Sequence, residues 1–394
     1  MVPTDHANLH VHSTAVVLDG EPREAIVGLT VDARGVHRAT SIIPTEDVDV
    51  VGVTALGDAI VAPAPLDLHF HGAGGHVVPP GGATADIDHT LRVEAARHAH
   101  IAAGVPAYEW VATLPIPGID RGRDVLAHVA DEVARAARAI TAARTGDGTG
   151  CVGLRIEGLF INPARAGVWP PEAFLPPLAE HLDVVARAAS DAGTPLVIVD
   201  MAAETVAPEQ AVSCIERARE LGIVVSLAHT DATWEQAIAA IDAGATLATH
   251  TWNAMRPLTH REPGVVAAVL TDERVTCELI CDGVHVHPGT IALTVAATGR
   301  DGWVAVSDAS PFAGCAPGDY EWAGTTVHHD GTALRDHAGR LAGSASLLWR
   351  TLDVLADARL SRFDAVVAMG AAPRRVLDPG RSLGLQVGDP VWVV

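Results

Sequence analysis

At 394 residues the chain is long enough for one large domain and a smaller companion. Hydrophobic residues make up 48% and charged residues 19%, which excludes an intrinsically disordered chain. Lys and Arg number 27 against 48 Asp and Glu, a formal charge of −21, so nucleic acid and anionic membrane surfaces are poor partners and a small anionic substrate needs its own local basic groups.

In chain order, the opening segment reads as short strands: Ser13–Leu18, Ala25–Val31 and Val48–Val53 are rich in Val and Ile, with Gly, Asp and Pro between them. Met1–Asn8 has no basic patch followed by an apolar run, so no signal peptide is expected. From residue 63 onward, short apolar strands alternate with Ala-rich amphipathic helices, the pattern of repeated βα units around a parallel sheet. The strands expected are Leu66–Phe70, Ala107–Thr113, Val152–Glu157, Leu196–Asp200, Val224–His229, Thr246–His250, Thr276–Ile280 and Trp303–Ser307. Helices are expected at His89–Ala103, Asp124–Ala143, Glu209–Leu221 and Glu235–Ala243. Eight strands in this length fit an α/β fold of the (β/α)8 TIM-barrel type. Gly384–Val394 returns to strand and turn, so both chain ends are expected to build one small β-sandwich domain. The boundaries expected are 1–62 with 378–394 for that domain and 63–377 for the barrel. No apolar stretch is long enough to span a bilayer, and no GxxxxGK[ST] or dinucleotide fingerprint occurs. The five cysteines (Cys151, Cys214, Cys277, Cys281, Cys315) are odd in number and lack repeated spacing, which points to a reducing cytoplasm.

The ends of the expected strands carry the chemistry. Residues there converge on one mouth of a barrel. The first strand ends His69-Phe70-His71, whose alternation puts both imidazoles on one side. Glu157, His229 and His250 close the third, fifth and sixth strands, and Asp308 follows the eighth. Singly, each has a plain structural explanation: a histidine packs in a core, and a carboxylate after a strand caps a helix. Together they form a set of imidazoles and carboxylates suited to zinc or a similar divalent cation, one ion or two. Such a cation lowers the pKa of a bound water toward ~7. Asp308, beside the small residues Ser307 and Ala309, is the candidate to take that water's proton and pass it to a leaving amine.

The segments IEGLFINPARAGVWPPEAF (Ile156–Phe174), SLAHTDATWEQA (Ser226–Ala237), ATHTWNAMRPLTHREPG (Ala248–Gly264), CDGVHVHP (Cys281–Pro288) and VSDA (Val306–Ala309) resemble the N-acetylglucosamine-6-phosphate deacetylases of the amidohydrolase superfamily. The resemblance runs from about His69 to Gly343, and the THxxNAMxPxxxREPG stretch is its most specific part. It implies a metal-dependent carbohydrate N-deacetylase in cytoplasmic amino sugar metabolism, acting on a small amino sugar phosphate. It implies further that Glu157, His229 and His250 are the main metal ligands, that His69 and His71 supply a second metal site, and that Asp308 is the acid/base. Arg261 and His285 then meet the sugar phosphate or hydroxyls, and the backbone N–H groups of the turn at Asn253 and Ala254 approach the phosphate. One such contact comes from a neighbouring subunit, which implies a homodimer. On residue type alone, Arg261 could equally pair with Glu262, and His285 could be an exposed loop histidine.

One departure bears on chemistry. Where the family has a histidine that polarises the substrate's amide carbonyl, this chain reads Gly167-Val168-Trp169-Pro170-Pro171. Loss of one such donor costs about 2.7–4 kcal/mol of transition-state stabilisation in other enzymes. A second metal at His69 and His71 could compensate, or Trp169 could reshape the acyl site for another N-acyl sugar or another C–N bond. Leu159, Ala228, Thr230 and Ser307 are milder departures. A catalytically weak sugar-phosphate-binding paralogue is the third reading, and the presence of Asp308 argues against it.

Overall fold

The computed structural model describes residues 9–31, 36–45, 53–77, 109–115, 124–144 and 150–394. The small sheet begins with β1 (Leu9–Leu18), which pairs antiparallel with β2 (Glu21–Val31). Asp19 and Gly20 join them with φ of 49° and 77°, the left-handed pair that a two-residue hairpin of right-handed twist requires. β3 (His37–Pro44) continues the sheet on β2, while β4 (Thr54–Ala55) and β5 (Ile60–Pro63) lie parallel to β1. Val11, Val16, Ala25, Val27, Leu29 and Val61 make its core. The strand expected at Val48–Val53 falls, except for Val53, outside the described residues, and so does the helix expected at His89–Ala103.

β6 (Leu66–Phe70) opens the barrel and is followed by a two-residue hairpin, β7 (Gly72–Ala73) with β8 (His76–Val77). The remaining barrel strands are β9 (Glu109–Pro115), β10 (Cys151–Phe160), β11 (Leu196–Met201), β12 (Val224–Leu227), β13 (Leu247–Ala248), β14 (Thr276–Ile280) and β15 (Trp303–Val306). With β6 they form one eight-stranded parallel sheet whose spatial order follows the chain. The two edges meet: Asp308 N–H donates to His69 O at 3.0 Å, and His71 N–H to Ala309 O at 3.1 Å. This closes the sheet as a TIM-type barrel, with the closing seam placed beside the candidate ligands. Leu68, Phe70, Leu114, Leu154, Ile156 and Trp303 are essentially fully buried. Each aliphatic or Phe side chain so buried contributes roughly 1.5–3 kcal/mol against full exposure.

The outer helices follow ordinary rules. Over Trp234–Ala243, Thr233 caps the first turn by accepting from Gln236 N–H, and the Gln236 side chain accepts from Thr233 N–H. Ala237, Ala240 and Ile241 face the barrel, and Gly244 at φ 123° ends the helix. Near the C-terminus, Gly370 permits close packing, since a Cβ there would lie 2.4 Å from Pro63 O.

After the barrel closes, β16 (Gly318–Trp322), β17 (Thr325–His329) and β18 (Leu334–Asp336) form an antiparallel meander that the sequence reading did not anticipate. Trp322, Val327 and Leu334 pack with Ile161 and Trp169 in a cluster of their own. The meander thereby lies against the segment after β10. β19 (Val391–Val393) returns antiparallel to β5, so both chain ends build the small sheet. Of the stretch Gly384–Val394 expected as strand and turn, these three residues are the strand.

Candidate active site

Six ligand-type side chains converge at the C-terminal ends of the barrel strands, all of them buried. His69 and His71 point the same way from β6, their Nε2 atoms 3.2 Å apart. Glu157 stands between two imidazole pairs. Its Oε2 lies 3.3 Å from His69 Nε2 and 3.1 Å from His71 Nε2, and its Oε1 lies 3.2 Å from Nε2 of both His229 and His250. Asp308 Oδ1 joins the first pair, 3.3 Å from His69 Nε2 and 3.4 Å from His71 Nε2.

β10 runs three residues past Glu157, its expected end, whereas the fifth and sixth strands end short of the residues read from sequence. β12 stops at Leu227 and β13 at Ala248, two residues short of the histidines. His229, His250 and Asp308 have φ of 43°, 32° and 46°. A left-handed residue just beyond the strand turns its side chain back over the barrel mouth. Ala254 is left-handed too, so four of the eight non-glycine residues with positive φ among those described lie at this site. Such conformations cost of order 1–3 kcal/mol each in unfavourable cases and persist where the surrounding structure enforces them.

The residues fit a metal. Ligands about 2.0–2.1 Å from one tetrahedral cation stand roughly 3.3 Å apart, and the facing atoms here stand 3.1–3.4 Å apart. His71 Nδ1 donates to Thr113 O at 3.2 Å and His229 Nδ1 to Arg165 O at 2.7 Å. In the neutral rings this leaves the Nε2 lone pairs facing inward, as metal-ligating histidines require. Electrostatics agree. Burial opposes charge on His71 and His229, yet the facing carboxylates hold both above the ordinary imidazole range. Burial likewise pushes Asp308 up, but His69 and His71 outweigh it and hold its carboxyl at about 2. Glu157 behaves in the same way and lies well below the carboxylate range. The site is built to receive positive charge.

Beneath these ligands, Arg155 is fully buried in β10, a feature the sequence reading missed. It donates to Asp200 (Nε to Oδ2 3.0 Å, Nη2 to Oδ1 2.8 Å), to Glu278 Oε1 (2.7 Å) and to Leu68 O (3.1 Å). Glu278 Oε2 in turn lies 3.6 Å from His69 Nδ1.

Above the ligands lies a cavity of about 430 Å³. His71, Glu157, His229, His250, Asp308, Trp169, Asn253, Ala254 and His285 line it, as do Arg165, Trp322 and Arg340, which the sequence reading left unassigned. His285 is oriented by Asp282 (Nδ1 to Oδ2, 2.7 Å), and its buried Nε2 has no partner among the described residues. Asn253 N–H is taken by His250 O at 2.9 Å, so of the two N–H groups expected to face an anion, only that of Ala254 is open among the described residues. Arg261 is exposed and lies outside the cavity of its own chain. The indole of Trp169 lies over Gly158, where a Cβ would meet it at 3.2 Å and where φ is +86°. Its ring centroid is 5.6 Å from that of His71 and 5.8 Å from that of Trp322, edge to face with the latter. The tryptophan is thus a packed wall beside the His69–His71 pair.

Searched against protein-family models, the chain matches none. It is 32% identical over 354 residues to the N-acetylgalactosamine-6-phosphate deacetylase of Escherichia coli O157:H7, covering 90% of this chain and 84% of that one. It is 30% identical to the N-acetylglucosamine-6-phosphate deacetylase of Vibrio furnissii, covering 87% and 79%. Among solved structures it resembles a mutant N-acetyl-D-glucosamine-6-phosphate deacetylase from Mycobacterium smegmatis in complex with N-acetyl-D-glucosamine-6-phosphate. That match has a TM-score of 0.79 and 27% identity over 98% of this chain and 95% of the other. The chain is a barrel hydrolase of the amidohydrolase superfamily, and it belongs to the family of N-acetylglucosamine- and N-acetylgalactosamine-6-phosphate deacetylases.

Proposed function

We propose that this protein hydrolyses the N-acetyl group of an amino sugar phosphate, N-acetylglucosamine 6-phosphate being the first candidate, to acetate and the free amino sugar phosphate. The observation that carries the reading is Glu157, which turns one carboxylate oxygen to each of two imidazole pairs with Asp308 alongside. Glu157, His229 and His250 would hold one divalent cation, and His69, His71 and Asp308, with Glu157, a second; zinc suits these donors. A cation held there would supply Lewis acidity and lower the pKa of a water. Asp308, ionised near neutral pH, takes the proton from the attacking water as oxygen adds to the acyl carbon. It then delivers that proton to the sugar nitrogen as the C–N bond breaks, so the amine leaves neutral. His285 Nε2 and Ala254 N–H face the sugar end. Arg261, exposed on its loop, reaches the cavity of a second copy in a homodimer. Among the described residues no helix is long and apolar enough to cross a membrane, and a cytoplasmic setting accords with the five free cysteines.

The test is acetate release from N-acetylglucosamine 6-phosphate and N-acetylgalactosamine 6-phosphate by zinc-loaded protein, with the unphosphorylated sugars alongside. Turnover that depends on the phosphate is expected. Folded, metal-loaded protein that releases no acetate from any of the four would move the reading to another N-acyl substrate, which the buried wall at Trp169 favours.

That wall gives a second expectation. Trp169→His should raise kcat for the acetylated sugar phosphate about tenfold or more if carbonyl polarisation is what the chain lacks. The same change removes packing against Gly158, His71 and Trp322, so the thermal midpoint should fall. A lower midpoint with no gain in kcat would show that the acyl site differs in more than this one donor.

A further inference from the structure

A protein of net charge −21 must collect positive charge locally to hold an anionic substrate. Among the described residues lining the cavity, the guanidinium groups are those of Arg165 and Arg340. Arg340 is half-exposed and committed to Asp336, with Nε donating to Oδ2 at 2.8 Å and Nη2 lying 2.7 Å from the same oxygen. Arg165 is different. Its backbone is fixed from both sides: its N–H donates to Asn162 O at 2.8 Å, and its carbonyl accepts from the metal-ligand candidate His229 at 2.7 Å.

Its side chain is clamped along one edge only. Nε and Nη2 donate to Asp231 Oδ1 at 2.8 and 2.6 Å, which leaves Nη1 without a partner among the described residues. Asp231 is held in turn. Its N–H donates to Glu204 Oε1 at 2.7 Å, and Arg256 donates from Nε to Asp231 O (2.8 Å) and from Nη2 to Oδ2 (3.0 Å). Glu204 spends its oxygens on Asn162, Thr230 and that N–H, and none of its hydrogen bonds goes to either arginine. Asp231 therefore serves both guanidinium groups, while Arg256 has a second, exposed carboxylate in Glu262, its Oε2 3.8 Å from Nη1. Nη1 is left on a preorganised fork in the cavity wall that also carries Asn253 and Ala254.

Resting on the deacetylase reading above, we infer that Arg165, aligned by Asp231 and backed by Arg256, is a same-subunit specificity residue that binds the phosphate of the substrate. A planar guanidinium with a free edge suits a phosphate dianion better than a point charge does. The competing explanation is that the Arg165–Asp231–Arg256 bonds only tie the Asn162–Arg165 turn to the loop after β12.

The two are separated by Arg165→Gln, Arg165→Lys and Arg256→Gln in the metal-loaded enzyme. Metal content is measured, with kcat and KM for N-acetylglucosamine 6-phosphate and for N-acetylglucosamine. For Arg165→Gln the expected result is a KM about 10- to 100-fold higher for the phosphorylated sugar, the scale of a charge-assisted hydrogen bond. Preference for the phosphorylated over the plain sugar should shrink accordingly, with metal content retained. Arg165→Lys should recover part of that preference, and Arg256→Gln should lose less of it. An equal loss on both sugars, or a loss of metal, would overturn the inference in favour of the structural tie. If the wild type releases acetate from neither sugar, the deacetylase reading has failed, and calorimetry with glucose 6-phosphate and glucose decides the inference by itself. Phosphate-dependent binding that Arg165→Gln abolishes supports it, and binding that is absent or identical in both proteins overturns it.

Discussion

Asp308→Asn should lower kcat for amide hydrolysis by about 10²- to 10⁴-fold, the usual contribution of a positioned general acid–base group. The residue combines the two properties the role needs. Its Oδ1 is within 3.4 Å of both β6 imidazoles. Its backbone is pinned, with N–H donating to His69 O at 3.0 Å and carbonyl accepting from Ser344 N–H at 2.7 Å. Asparagine keeps the shape and one oxygen, so the left-handed turn should survive, but the amide cannot accept a proton. The Glu157–His229–His250 group does not include Asp308 and should keep its cation, while a cation at His69 and His71 should bind less tightly. Single-turnover kinetics with metal analysis checks both parts. Retained kcat with retained metal would remove Asp308 from proton transfer and leave it a ligand only.

The barrel was legible because its strands are buried on both faces. Leu66–Phe70 and Thr276–Ile280 occupy the residues read from sequence, although the buried Asp67, His69 and Glu278 interrupt their apolar residues. His229 and His250 stand out as the last residues of two expected strands, and those strands end two residues earlier in the structure. A left-handed φ at a histidine leaves no mark in hydrophobic periodicity, and tertiary closure of the barrel enforces it. The β16–β18 meander was missed although its signal is present: Tyr320, Trp322 and Val327 alternate with polar residues around Ala323-Gly324, both left-handed. Trp169 was recognised as a departure, whereas its partner Trp322 lies more than a hundred residues away and only the fold brings the two together. Arg165 lies inside the Ile156–Phe174 segment, yet a single sequence does not show which arginine of an acidic protein faces a cavity. Arg261 lies in a specific motif, and its side chain is outside the cavity of its own chain, which a contact made to a neighbouring subunit would require.

Arg155 shows a further limit of periodicity, and it carries the largest stability effect expected here. A charged residue within β10 would ordinarily face solvent, but this one is fully buried with Asp200 and Glu278, a group of one cation and two anions under the ligand cluster. Arg155→Met should destabilise the protein by about 3–5 kcal/mol, because both carboxylates lose the partner that made their burial tolerable. The pH dependence tests this explanation against simple loss of packing. Burial pushes the Glu278 carboxyl up, but the Arg155 guanidinium outweighs it and holds the group at about 2, below the 4.5 of an ordinary glutamate. In the wild type Glu278 therefore contributes stability that is complete above pH 4.5 and is lost as pH falls toward 2. Without Arg155 the sign reverses. Burial then raises the folded-state value above the unfolded one, and stability drains away as pH climbs above about 4.5. The difference between wild type and Arg155→Met, from urea unfolding, should thus be larger at pH 8 than at pH 5. An equal difference at the two pH values would mean that lost packing alone accounts for the change. Replacing Asp200 and Glu278 by uncharged residues of similar volume in the Arg155→Met background should then restore much of the loss, since the cost lies in unpaired buried charge and not in the absence of an ion pair.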